Sequence, residues 1–210
     1  MPDDINEIDT DSLENRLRWV LVTAWDICLR RIATGRITIN KESSLQLHLA
    51  YILTQLGELA CIGPDDEFKI ELETNHQGKN IDIWCALGPK GECQAAIELK
   101  CFRKRSNRAT DTDMYDVLKD ISRLESYSHV QLRRFICLTD NTYYTNSSHR
   151  GHAGSVSIGD NKVYPKDIPI VPSWIGKWKD SKRDSEIRLN ADLCISWKKI
   201  DNWHYLYIEV

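Results

Sequence analysis

No stretch of the chain approaches the ~20 consecutive apolar residues that a membrane-spanning helix needs. The acidic, polar opening MPDDINEIDTDSLEN lacks the basic-then-apolar order of a signal peptide. A cytoplasmic protein with no membrane partner is the expectation. None of the seven cysteines (Cys28, Cys61, Cys85, Cys93, Cys101, Cys137, Cys194) forms a C-x-x-C pair. Their odd number and scatter indicate neither a zinc ribbon nor a disulfide framework, and runs such as FICLTD and IDIWCAL point to reduced, buried thiols. A Gly-rich phosphate loop and a G-x-S-x-G are also missing, so nucleotide hydrolysis and esterase chemistry have no support. Nor is there an excess of one charge: Lys+Arg 28 against Asp+Glu 31 gives a net charge of -3. That excludes a uniformly basic nucleic-acid coat but not a local basic face. Repeats and low-complexity tracts are absent too. With 210 residues, 41% hydrophobic and 28% charged, the chain fits one compact globular domain and not a disordered or fibrous one.

What is present is a change of period along the chain. Leu13, Leu17, Val20, Leu21, Ala24 and Cys28 recur every three or four positions and predict a helix from Ser12 to about Arg31. A second helix is predicted from about Lys41 to Ala60, stopped by Gly63-Pro64. FKIELET (68–74), NIDIWCAL (80–87) and CQAAIELKCF (93–102) read as three strands, the last two joined by Gly88-Pro89-Lys90-Gly91 as a hairpin. After a basic loop, Thr110 or Asp111 is expected to cap a helix carrying Met114, Val117, Ile121 and Leu124. RRFICLTD (133–140) has the continuous apolar run of a strand buried on both faces. The order is α-α-β-β-β-α-β, an α/β class with a mixed sheet flanked by helices. Residues 141–210 read as a β-rich elaboration of the same single domain, with strands in CISWKKI and WHYLYIEV.

The informative constellation lies on the second and third strands. Glu98 and Lys100 share one face of their strand, and Ile97 and Leu99 share the other. Asp82, flanked by Ile81 and Ile83, must point away from both isoleucines. A hairpin between these strands brings Asp82 beside Glu98 and Lys100. Paired carboxylates suit Mg2+, a hard cation held by one or two carboxylates together with substrate phosphate. An ion so held activates water and steadies a leaving oxygen, and a neighbouring lysine orients the attacking water or neutralises developing charge.

The segment IDIWCALGPKGECQAAIELK resembles the active-site signature of the PD-(D/E)xK nuclease superfamily, the restriction-endonuclease-like fold. Asp82, fifteen intervening residues and then Glu98-Leu99-Lys100 match its pattern, and Ile81 stands where the name has Pro. The α-β-β-β-α-β order matches the family core over about residues 41–140. The resemblance implies a metal-dependent endonuclease in which Asp82 and Glu98 bind Mg2+ or Mn2+ and Lys100 serves the attacking water. DNA is the substrate of most such families. Many members add a Glu from the preceding helix as a further ligand and catalytic residue. Glu42 is the better match and Glu58, near the far end of that helix, is the rival.

Arg103, Lys104, Arg105 and Arg108 follow the lysine as a basic loop that could hold a phosphate backbone, the alternative being an ordinary solvated loop. Asp116, Lys119, Asp120 and Arg123 lie opposite the next helix's apolar stripe, where surface ion pairing explains them, although Lys119 could face nucleic acid. His149 and His152 sit in a polar loop with no Cys or acid to complete a zinc site. Trp174, Trp178, Trp197 and Trp203 crowd the last 37 residues and read as packing of a β layer. A homodimer through this region would suit cleavage of both strands of a duplex. Two alternatives stand beside the nuclease: a catalytically inactive nucleic-acid-binding or protein-assembly module on the same fold, and an unrelated β-rich domain working through its tryptophans.

Overall fold

A computed structural model describes residues 12–76, 78–106, 109–147, 149–176, 183 and 185–210. The chain is α/β, with helices flanking a six-stranded mixed sheet of order β1-β2-β3-β4-β8-β7. It divides into two compact units, residues up to Ile97 with Ser128–Arg134, and Glu98–Tyr127 with Phe135–Val210.

The first unit begins with α1 (Leu13–Ala33), whose Ser12 hydroxyl accepts the Asn15 N–H at 3.1 Å, an N-cap that satisfies one orphan donor. Its stripe Leu17, Val20, Leu21, Ala24 and Cys28 is fully buried, as the spacing requires. The helix also buries Arg16, which donates to the Ala60 carbonyl at 2.8 Å and to Asp66 at 2.6 Å. Arg16 and the Gly63 and Ile62 amides hold the Asp66 carboxyl below its ordinary 3.8. Helix α2 (Glu42–Leu59) packs on α1 and on β1 (Phe68–His76). Gly57 lets the Phe68 ring approach α2, since a Cβ there would stand 2.3 Å from it. The chain then turns into β2 (Lys79–Leu87) and, through a 3-10 turn at Pro89–Gly91, into β3 (Cys93–Phe102). Both β1–β2 and β2–β3 are antiparallel. The Gly-Pro-Lys-Gly connection therefore forms the expected hairpin. Gly88 carries it with φ 98, and a Cβ there would meet Leu13 at 2.7 Å.

The second unit takes the later half of β3, α3 (Thr110–Glu125), most of β4 (Leu132–Thr139), the short α4 (Gly151–Ser155), β5 (Val163–Tyr164), β6 (Leu193–Cys194), β7 (Lys198–Ile200) and β8 (Trp203–Glu209). Met114, Val117, Ile121 and Leu124 of α3 are all buried. Its N-cap is Ala109, not Thr110 or Asp111, and no side chain caps it. Asp111 and Asp113 fall inside the first turn instead, where the helix dipole favours negative charge. The C-terminal strands divide: β7 and β8 form a hairpin next to β4 in the sheet order, and β5 and β6 form a separate pair. No helix among the described residues is long and apolar enough to cross a membrane.

Candidate active site

Asp82 lies on β2 in the first unit. Ile81 and Ile83 on either side of it are 0% exposed, and Asp82 is half-buried on the opposite face. The β2–β3 ladder runs from Leu87↔Cys93 to Ile83↔Ile97. Gln46, buried on α2, donates through Nε2 to the Asp82 carbonyl at 2.7 Å and to the Glu73 carboxylate at 2.9 Å. Glu73 is a left-handed residue in the middle of β1, with φ 52, and it falls between the paired positions Leu72↔Ile83 and Thr74↔Ile81. Such a conformation costs on the order of 1–3 kcal/mol in a non-glycine residue and persists only where neighbours hold it. The Gln46 bond is one such hold. Glu42 opens α2 one turn before Gln46 on the same side of the helix. Glu58 lies roughly 18 Å beyond Gln46 along the axis at ~1.5 Å per residue. Of the two acids, Glu42 is at the end of α2 that reaches Asp82.

Glu98 and Lys100 lie in the second unit and are not a solvated pair. Glu98 is 1% exposed, and Arg123 of α3 donates to its Oε2 at 2.5 Å. The same guanidinium nitrogen reaches Asp120 Oδ1 at 3.0 Å. Lys100 Nζ donates to Asp120 Oδ2 at 2.7 Å and to the Leu99 carbonyl at 3.0 Å. Two acids and two bases thus form one chain, Glu98–Arg123–Asp120–Lys100, whose formal charges cancel. Burial by itself would lower the Arg123 pKa, but the facing Asp120 and Glu98 carboxylates outweigh it and raise the value further. Burial raises the nearby Tyr127 phenol, with Arg123 opposing and Glu98 and Asp120 adding to the rise. Lys100 Nζ is oriented by a carboxylate on one side and a main-chain oxygen on the other.

Asp120 and Arg123 are the residues that surface ion pairing did not anticipate. On α3, Asp113, Asp116, Asp120 and Arg123 repeat the 3, 4, 3 spacing of the apolar stripe one residue earlier, about 100° around the helix. Each has a partner from another element of the unit: Asp113 accepts from Tyr144 at 2.6 Å, Asp116 from Arg183 at 2.8 Å, and the other two join β3. Asp113 and Asp120 of this stripe are buried, and Asp116 and Arg123 are half-buried; spacing alone does not separate such a stripe from a solvated face. Lys119, truly opposite, is exposed, its ammonium 5.5 Å above the Tyr115 ring.

The basic loop resolves into unlike parts. Arg103 is clamped on Asp140 Oδ2 at 2.9 Å and lies 4.6 Å over the Trp203 ring, so its charge is already used within the unit. Asp140 Oδ1 also accepts the Lys104 amide at 2.6 Å. This anchor leaves the Lys104 and Arg105 side chains exposed. Arg108 and Trp178 lie outside the described residues. His149 bridges Ser157 Oγ at 2.6 Å and the Tyr143 carbonyl at 2.8 Å, and His152 contacts Ser173 Oγ at 2.6 Å. Trp174 is fully buried and donates to the Arg183 carbonyl at 3.0 Å, and Trp197 donates to Ile158 at 2.6 Å. Cys28 and Cys85 are pushed up to about 12 by burial.

Among the described residues, no group of three or more His, Cys, Asp or Glu side chains converges as a metal cage. Each unit taken by itself offers carboxylate oxygen, the donor a hard divalent cation takes, from Asp82 in the first and Glu98 in the second. A carboxylate has two oxygens and about four lone-pair directions, so the Arg123 bond to Oε2 does not exhaust Glu98. Its burial also demands a cation, and Arg123 fills that role. Compared with known proteins, the chain matches no family model, no curated protein and no solved structure.

Proposed function

We propose that the chain is a metal-dependent nuclease on a restriction-endonuclease-like fold, hydrolysing phosphodiester bonds of nucleic acid, with DNA as its first substrate. The observation that carries this reading is the antiparallel β2–β3 hairpin. Its last pair is Ile83↔Ile97, and the next residues along the two strands are Asp82 and Glu98. Glu98 and Lys100 of β3, paired with Arg123 and Asp120 of α3, add to it. Asp82 and Glu98, with Glu42 at the near end of α2, would hold Mg2+ or Mn2+. When bound, such an ion polarises the phosphoryl group and lowers the pKa of a bound water. Gln46 fixes the backbone of Asp82. Lys100, which donates to Asp120 and to the Leu99 carbonyl, would turn its Nζ to the attacking water or the charged phosphate oxygen. Lys104 and Arg105 offer exposed positive charge to the backbone of the substrate.

Incubation with supercoiled plasmid, single-stranded DNA and RNA, in Mg2+, Mn2+ or EDTA, tests the reading. Cleavage should need the metal and fall at least 100-fold in Asp82→Ala and Lys100→Ala, in line with a lost general or electrostatic catalyst. Metal-independent cleavage, or variants as active as the parent, overturns it. One observation favours a second reading, a module that binds nucleic acid without cutting: the charges of Glu98 and Lys100 are both spent in internal pairs. Retention of DNA on a filter with no cleavage under any metal would select that module.

A further inference from the structure

We infer that Arg123 is a built-in competitor of the divalent cation for the Glu98 carboxylate: it holds that charge in the metal-free protein and must yield it, keeping Asp120, for metal to bind. The inference rests on the nuclease reading and deepens it. Glu98 at 1% exposure has too little water to support its charge, and the guanidinium at 2.5 Å supplies the counter-charge. The four-group chain is already neutral, so a divalent ion added with Arg123 in place would crowd +2 against a cation on one buried carboxylate. Two features let Arg123 move without unfolding the helix. Its side chain is 20% exposed, so solvent borders it, and it has a second carboxylate partner, Asp120, at 3.0 Å on its own helix. Asp120 in turn keeps Lys100, so withdrawal of Arg123 from Glu98 leaves the lysine anchored.

A purely structural ion pair and a competitor predict opposite signs for metal affinity. In Arg123→Met, similar in length but uncharged, the buried Glu98 loses the guanidinium that pairs with it at 2.5 Å. Metal binding then relieves a penalty that the native protein does not carry, and ligand linkage raises the apparent stability of the loaded form. The experiment measures Mn2+ affinity by electron paramagnetic resonance titration of the full chain, with thermal unfolding in EDTA and in Mn2+, for the parent, Arg123→Met and Arg123→Lys. The expected result has three parts: Arg123→Met melts lower than the parent in EDTA, binds Mn2+ at least 10-fold tighter, and gains more in melting temperature from Mn2+. Arg123→Lys, which keeps the charge, should lie near the parent, and Arg123→Gln takes the place of the methionine variant if that does not fold. Equal or weaker Mn2+ binding by the charge-removing variant, in a parent that binds Mn2+ and cleaves, overturns the inference and leaves the nuclease reading standing. No Mn2+ binding by any of the three, with no cleavage, overturns both.

Discussion

Asp120→Asn removes one charge from the centre of the buried network while conserving shape. In the native protein Asp120 lies 2.7 Å from Lys100 and 3.0 Å from Arg123, with side-chain exposures of 9%, 15% and 20% for the three groups. At an effective dielectric of ~20, the gross attractions are about 6 and about 5.5 kcal/mol. Desolvation offsets most of that, and breaking a buried pair by removing one partner costs about 3–5 kcal/mol. Lys100 and Arg123 both border solvent and can rehydrate in part, which places the expected loss at the low end, about 3 kcal/mol. For a chain of this size each kcal/mol moves the melting temperature by about 2–4 °C, so Asp120→Asn should melt about 6–12 °C lower. Asp26→Asn supplies the control. Its pair with Arg30 on α1 is similarly short, 2.7 Å, but the side chains are 67% and 55% exposed. Screening should hold the cost to about 0.5 kcal/mol, a shift below about 2 °C. Thermal unfolding followed by circular dichroism measures both. A fall for Asp120→Asn no larger than that for Asp26→Asn would show the network to be solvent-screened and refute the reasoning built on its burial.

Three further substitutions have expected outcomes of the same kind. The Asp66 carboxyl is held below 3.8 by the Arg16 side chain and the Gly63 amide, so its contribution is full above that value and is lost as pH falls through the depressed folded value. The parent should therefore exceed Asp66→Asn in urea midpoint at pH 7, with the gap closing below about pH 4; a gap that persists into acid would contradict the assignment. In the basic loop, Arg103→Ala should lower the melting temperature through loss of the Asp140 clamp and the Trp203 stack. Lys104→Ala should leave stability unchanged, weaken DNA binding and reduce the log–log salt slope by about 1. Filter binding across a salt series checks this, and an unchanged slope for Lys104→Ala would remove it from the phosphate contacts.

Local features were legible because local periodicity reports them. The 3, 4, 3 spacing of Met114, Val117, Ile121 and Leu124 gave a buried helix stripe, and alternation around Asp82 gave a strand with isoleucines inside. The Gly-Pro-Lys-Gly connection gave the hairpin, since its glycines supply the positive φ that the turn needs. Partner choice was not legible. Asp120 and Arg123 have the composition of a solvated helix face, and only β3 packed against them turns them into a buried network. Arg103 reads as a phosphate-binding cation until Asp140 and Trp203, distant in sequence, claim it.

The sequence by itself determined the two N-terminal helices, the three-strand meander, α3 and β4, and the apolar residues on them that face inward, because those follow from side-chain spacing along one element; the short α4 in the loop around His152 was not legible that way. It also determined that Glu98 and Lys100 share a face, a consequence of strand pleat alone. Tertiary structure decided which partners the charges of that face have. A carboxylate or an ammonium owes its energy to what lies within a few ångströms of it, and in a folded chain those neighbours come from elements that the sequence keeps apart.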